Sequence, residues 1–274
     1  MPRRDATTHR GSAPFDPPRR VRLDTLTWPE VAALDREIVV VVPFAAIEQH
    51  GEHLPLFTDT RITEGILERL DRVDAGWGLW LPVQRFGSSP HHMPFAGTLT
   101  LGSRTFLDVA GDLVTSIVEH GFRNVILLNG HGGNQALLDV AVQESRLRHR
   151  HLRIVHVTYW VVAAEAFGAL RESPQGGMGH ACEMETSIML ALEPSLVRSD
   201  RMRPDGEPPR SRFDHRDMLA PGKVGQFRFW DERSKTGPLG DPTTATAEKG
   251  ERFLAAAADA VAAVVVDLRA GKLG

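Results

Sequence analysis

Three short stretches hold most of the groups that could do chemistry. In "EQHGEHLPLFTDT", residues 48–60, Glu48 and His50 are separated by one residue, so an extended backbone would aim both side chains at one centre, and Asp59 returns after a turn. Carboxylates and imidazoles together suit zinc, manganese or iron, and the two oxygens of one carboxylate can bridge two ions. Alone, Glu-x-His also fits a solvated polar loop. Glu52 reads as exposed and His53 as a donor that orients a neighbour.

The second stretch, "NGHGGN" at residues 129–134, puts His131 among glycines that let the backbone approach a ligand closely. It reads equally as a helix-start turn capped by Asn134. A nucleotide is discounted, because neither G-x-G-x-x-G nor a P-loop with its Lys is present. The third, "GHACEMETSIML" at residues 179–190, reads as the start of a helix in which His180 and Glu183, three apart, share a face. His180 could then be a general acid or base and Glu183 a metal ligand or proton carrier. Glu185 falls on another face and reads as structural. A capping carboxylate beside a satisfied histidine is the plainer alternative. Cys182 is either a small buried hydrophobe or a nucleophile.

These groups need a scaffold, and the apolar pattern supplies one. "TWPEVAAL" has a capping-box start at Thr27 and Glu30, and "EIVVVVPFAAI" and "NVILLN" are β-branched or apolar runs short enough to be strands buried on both faces. "TRITEGILERLDRV", "RTFLDVAGDLVTSIVEH" capped by Ser103 and ended at Gly121, and "ATAEKGERFLAAAADAVAAVVVDLRAG" read as helices, and "GHGGNQALLDVAVQESRLR" as a glycine loop feeding another. Strand and helix alternate, which predicts an α/β fold, a three-layer α/β/α sandwich with a mostly parallel central sheet. Ligand sites in such sheets lie beyond the carboxyl ends of the strands, where Glu48 and His131 fall. Residues 203–245, rich in Gly and Pro, read as a long excursion that covers the site or contacts another subunit, and 1–22 as a disordered tail before a single domain at 23–274.

Composition narrows the partners. Across 274 residues, 32 Lys plus Arg against 35 Asp plus Glu give a formal charge of −3, which offers no general field for nucleic acid or an anionic membrane. One cysteine excludes an internal disulfide, and no apolar run spans a bilayer. The expected setting is cytoplasmic and the expected partner a small molecule.

Taken in order, the three stretches resemble the motifs of the creatininase (creatinine amidohydrolase) family: residues 48–59 match E-Q-H-G-x-H-L-P-L-x-T-D, "NGHGGN" and "HACEMETS" match the second and third motifs, and "GDPTTATAEKG" is similar to the C-terminal one. The resemblance runs from Trp28 to the last helix. It implies an amidohydrolase that cleaves a C–N amide bond of a small cyclic or linear amide, with a hydroxide bridging two divalent metals, zinc first and manganese or iron as alternatives. It also implies a homohexamer. By motif position, Glu48 and His131 would hold one metal, His50 the other, Asp59 both, with Glu183 supplying the remaining carboxylate and His180 moving the proton. Members acting on creatinine carry a Glu where this chain has Gly133 and a Trp where it has Gly176, so the branch resembled is the H-A-G-E type. Trp160 is similar to a second lid tryptophan, and His92 falls at a substrate-contact position. Other members process formamido-pyrimidines or, as peptidases of cofactor maturation, a peptide precursor on the same metal site. The rivals are a thiol hydrolase with Cys182 as nucleophile, using His180 or His131 as base, and a non-enzymatic scaffold whose metal only holds loops.

Overall fold

The computed structural model describes residues 20–70, 78–207, 209–214, 216–220 and 224–274. Its centre is a sheet of β1 (Arg20–Arg22), β2 (Val39–Phe44), β3 (Gly78–Trp80), β4 (Asn124–Asn129) and β5 (Arg153–Thr158), ordered β1-β3-β2-β4-β5 with every ladder parallel. The expected tail therefore gives up its last three residues to an edge strand, and residues 1–19 lie outside the described residues.

Alternation along the strands splits the core in two, because successive side chains point to opposite faces. Val39, Val41, Ile126 and Leu128 pack on one face against α2 (Thr58–Leu70), α7 (Glu183–Leu192) and α8 (Ala247–Arg269); α5 (Tyr159–Val162) and α6 (Ala164–Leu170) join that layer. Val40, Val42, Val125 and Leu127 pack on the other face against α3 (Ser103–Glu119) and α4 (Gln135–Arg148), with α1 (Trp28–Ala33) beside them. This is the three-layer sandwich that the strand-helix alternation predicts. Among the described residues no helix is long and apolar enough to cross a membrane.

Helix starts follow the sequence within a residue or two outside the third motif, but one expected cap falls elsewhere. The capping box forms at α1, where Glu30 accepts from the Thr27 backbone N–H at 2.7 Å. Gly121 ends α3 at φ +93°, a left-handed position that a Cβ would strain. Ser103, however, is the first helical residue of α3 rather than its cap, which is Gly102. The third motif does not open a helix at His180 either. His180 closes the short strand β6 (Met178–His180), paired antiparallel with β7 (Leu239–Gly240), Ala181 turns the chain at φ +47°, and Cys182 is the N-cap of α7.

Candidate metal centre

The site lies beyond the carboxyl ends of β2 and β4. After β2 the chain is held by the Glu48 N–H donating to the Leu56 carbonyl at 3.0 Å; Glu48 lines the cavity, and His50 meets Asp59 behind it. Asp59 is the second residue of α2. After β4, the Asn129 side chain accepts from the His131 N–H at 3.0 Å, and Gly130 lets α2 come close: a Cβ there would sit 1.9 Å from Thr63 Oγ1. Asn134 occupies the N-cap position of α4, as the sequence suggests, but its side chain makes no cap bond to the helix. Its amide instead accepts from the Ser88 N–H at 2.8 Å and donates to the Ala45 carbonyl at 3.2 Å, tying the loop after β3 to the site.

Asp59 stands between two imidazoles. Its Oδ1 is 3.0 Å from His50 Nε2 and its Oδ2 is 3.0 Å from His131 Nδ1. On the His131 side, Glu48 Oε1 is 3.3 Å from the same Nδ1; on the His50 side, Glu185 Oε1 is 3.9 Å from Nε2. All five groups are buried. Each imidazole is turned inward by its other nitrogen, His50 Nδ1 donating to the Glu48 carbonyl at 3.2 Å and His131 Nε2 to the Ser88 carbonyl at 3.1 Å. His180 Nε2 donates to the Gln49 carbonyl at 2.7 Å, leaving Nδ1 facing the cluster 3.7 Å from Glu48 Oε1. Gln49 Oε1 accepts from the Gly51 N–H at 2.9 Å, which aims its amide nitrogen at His92 Nδ1, 2.8 Å away, and so directs His92 Nε2 at Glu48 Oε1, 3.4 Å distant.

The electrostatics follow from burial and close carboxylates. Desolvation works against charge on His50, yet Asp59, Glu185 and Glu48 outweigh it and hold this imidazole's pKa at about 9. His131 is likewise raised, with desolvation overcome by Glu48 and Asp59. For Asp59, desolvation is outweighed by His50 and His131 and the carboxyl is lowered; for Glu185, burial wins and it is raised. His92 and His180 are pushed well below the ordinary histidine range, by burial first and by neighbouring imidazoles next. The carboxylates thus gather positive charge, and a cation would take the place of those protons. Glu48 Oε2 and Glu185 Oε2 are buried with no hydrogen-bond partner among the described residues, and the donor set of carboxylate oxygens and imidazole nitrogens fits zinc, manganese or iron. Groups of three such ligands recur through the cluster, Glu48–His50–Asp59 and His50–His180–Glu185 among them.

One expected role is corrected here, and one rival reading loses its residue. Glu183 is outside the site: it is fully buried, with Oε1 2.7 Å from Lys249 Nζ and Oε2 accepting from the Ser173 N–H at 2.8 Å. Because the helix begins at Glu183 and not at His180, the i,i+3 relation does not apply, and two residues on, about 200° around the helix, Glu185 faces the cluster. Cys182 is packed in the apolar core, does not line the cavity, and has its thiol pushed well up by desolvation and the Glu185 charge, the opposite of an activated nucleophile.

A cavity of about 580 Å³ opens from the cluster, lined by His91, His92, Trp160, Trp230, Arg228 and Arg233 among others. The excursion at 203–245 thus does form a wall of the site. Trp230 stacks on His92 at 4.2 Å, meets His180 edge-on at 4.8 Å, and donates from Nε1 to the Gly237 carbonyl at 2.6 Å. No local motif marks Trp230; the one signal was its place in a Gly- and Pro-rich insertion. Gly133 leaves no room for a side chain, since a Cβ would lie 2.1 Å from the Ser88 carbonyl oxygen.

Known proteins share this arrangement's scaffold. The mycofactocin precursor peptide peptidase of Mycobacterium ulcerans (strain Agy99) is 32% identical over 247 residues, covering 85% of this chain and 83% of its own, and that of Mycobacterium tuberculosis (strain ATCC 25618 / H37Rv) is 34% identical, covering 80% and 81%. The creatinine amidohydrolase of Pseudomonas putida is 29% identical over 86% of this chain and 92% of its own. A crystal structure of creatinine amidohydrolase (creatininase) superposes with a TM-score of 0.71 at 26% identity, over 89% of this chain and 96% of that one. The family description "Creatininase: Creatinine amidohydrolase" matches residues 24–265, nearly all of the described fold and every residue of the cluster, and the chain belongs to the creatininase family of hydrolases.

Proposed function

We propose that this enzyme hydrolyses a carbon–nitrogen amide bond with two divalent ions. Glu48, His131 and Asp59 Oδ2 would hold one, and His50, Glu185 and Asp59 Oδ1 the other. The carrying observation is Asp59, whose two oxygens each face a different imidazole at 3.0 Å while a further carboxylate flanks each pair. Such ions supply an activated water at neutral pH and a Lewis acid for the scissile carbonyl. The chain's own part is orientation and proton movement. The carbonyls of Glu48 and Ser88 fix the two imidazoles, and His180, held at Nε2 by the Gln49 carbonyl, keeps Nδ1 toward the cluster to carry a proton to the leaving nitrogen. Zinc and manganese are the preferred ions, since solved relatives include a manganese form and a zinc–zinc form of a creatininase variant.

Creatinine itself fits this site poorly, because position 133 cannot carry a carboxylate and Gly176 carries no lid side chain. A second reading, a peptidase of cofactor maturation, is favoured by the size of the cavity and by the relatives named mycofactocin precursor peptide peptidase. Both readings share the metal chemistry. The test is amine release from a panel of cyclic, linear and peptide amides by zinc- or manganese-loaded enzyme; turnover that survives exhaustive chelation would sink the proposal.

A further inference from the structure

His91 lines the cavity but belongs to neither ligand set proposed for the two ions. It is the middle residue of the short turn Pro90–His92, and neither of its ring nitrogens makes a hydrogen bond among the described residues. Its ring lies nearly parallel to that of His131, 5.8 Å away at 19°, and also meets His92 at 4.4 Å and Trp230 at 5.6 Å. The turn that carries it is fixed to the site. The Ser88 N–H donates to the Asn134 side chain at 2.8 Å, and the Ser89 N–H donates to Thr100 Oγ1 at 2.8 Å. Gly133 makes the room, since a Cβ there would lie 2.5 Å from His131 Nε2 and 2.8 Å from His91 Cε1.

Donor and acceptor roles separate the imidazoles around Glu48. The Gln49 amide nitrogen donates to His92 Nδ1, so the neutral His92 ring carries its hydrogen on Nε2. That Nε2 points at Glu48 Oε1 from 3.4 Å as a donor and has no lone pair to give an ion. His131 is the reverse. Its Nε2 donates to the Ser88 carbonyl, which leaves the lone pair of the neutral ring on Nδ1, 3.3 Å from Glu48 Oε1 and 3.0 Å from Asp59 Oδ2. His91 carries a lone pair that nothing among the described residues occupies. One possible ligand atom each from Glu48, His91 and His131 lie within 4.8 Å of one another, close to the about 4 Å that two atoms each about 2 Å from one ion can span. Glu48 Oε2 and Asp59 Oδ2 are buried there with no hydrogen-bond partner among the described residues.

We infer that His91 is a fourth protein ligand of the ion held by Glu48, His131 and Asp59 Oδ2. On the two-ion reading, on which this rests, the sub-sites become unequal: four protein donors on the His131 side against His50, Glu185 and Asp59 Oδ1 on the other. The ion on the His131 side is the more tightly held.

The test is zinc retention by the loaded, full-length protein against a graded chelator. The unaltered protein should give up one ion before the other. His91→Phe keeps the ring contacts and removes both nitrogens, so it should weaken the tighter ion by about 100-fold or more and leave the weaker one unchanged. The visible absorption of the cobalt-loaded variant should change as well, because a nitrogen leaves the shell of one ion. Free imidazole should restore retention in His91→Gly, where it fits the vacated ring space, and should not do so in Glu185→Gln. Both ions held by His91→Phe at the unaltered affinities overturn the proposal while the two-ion reading stands, and so does a loss in folded His91→Gly that imidazole does not repair. Should His91→Phe not fold, His91→Ala carries the same expectations. An unaltered protein that retains no zinc removes the two-ion reading, and His91 as a ligand with it.

Discussion

Replacing Glu185 or Glu183 by Gln separates a ligand from a structural ion pair two residues away. Glu185 Oε1 faces His50 Nε2 at 3.9 Å and Oε2 has no hydrogen-bond partner among the described residues, so Glu185→Gln should remove a charged ligand and little packing. Loss of groups that merely orient a ligand lowers metal affinity about 10- to 100-fold, so loss of the ligand should cost about 100-fold or more at that ion. Metal content after dialysis should then fall from two toward one per chain. Glu183 behaves differently. Its carboxylate and the Lys249 ammonium are both buried and 2.7 Å apart, and removing one partner of such a pair costs about 3–5 kcal/mol. Gln keeps part of the hydrogen bonding to Ser173 and Glu172, and Glu172 Oε2 at 3.4 Å softens the loss, so about 2–4 kcal/mol is expected. In a chain of this size that is a fall in Tm of about 5–15 °C with metal content unchanged. Elemental analysis and calorimetric melting of both variants are the assays. A Glu183→Gln protein that melts normally but loses metal, beside a Glu185→Gln protein that keeps both ions, would refute the assignment.

Asp59→Asn should bind neither ion at normal affinity and lose at least about 100-fold in turnover, because in the proposed centre both sub-sites would share that carboxylate; turnover within tenfold of the parent would contradict this. Cys182→Ala should keep at least half of the parent turnover in a steady-state amide assay, since the thiol lies in the core, and loss of activity in a folded variant would restore the thiol reading. Asp205 is lowered to about 2, desolvation being outweighed by the Thr236, Gly206 and Ser234 donors. Its folded pKa is below its ordinary value of 3.8, so its hold on the 234–237 turn is present above about pH 4 and lost as pH falls toward 2. Trp230 emission should follow that window, and Asp205→Ala should abolish the transition. The hexamer expected from the family resemblance predicts a light-scattering mass of six chains of 30.2 kDa, and a monomer mass would exclude it.

How much of this was legible in the sequence depended on whether a group's position was set locally. Val39–Phe44 and Val125–Leu128 are unbroken apolar runs, so burial on both faces and parallel pairing were readable, and with them the ends where Glu48 and His131 emerge. Asp59 was readable through its turn. Glu185 was not, because helical spacing from His180 puts it on another face, and the left-handed Ala181 that moves the helix start to Glu183 leaves no trace in residue type. Trp230 and Arg233 are held at the site partly by Asp205, 25 and 28 residues earlier, which pins the turn that follows them, a non-local tie that periodicity does not encode. Gly133 was readable as a missing carboxylate, while the structural reason, the Ser88 carbonyl in that space, required the fold.

The central claim is a dinuclear centre on Asp59, and the most direct measurement is metal content per chain, by elemental analysis of protein purified without chelator or nickel resin. About two divalent ions are expected, falling to none in Asp59→Asn. Protein that holds no divalent ion, even after reconstitution with zinc and manganese, would contradict it.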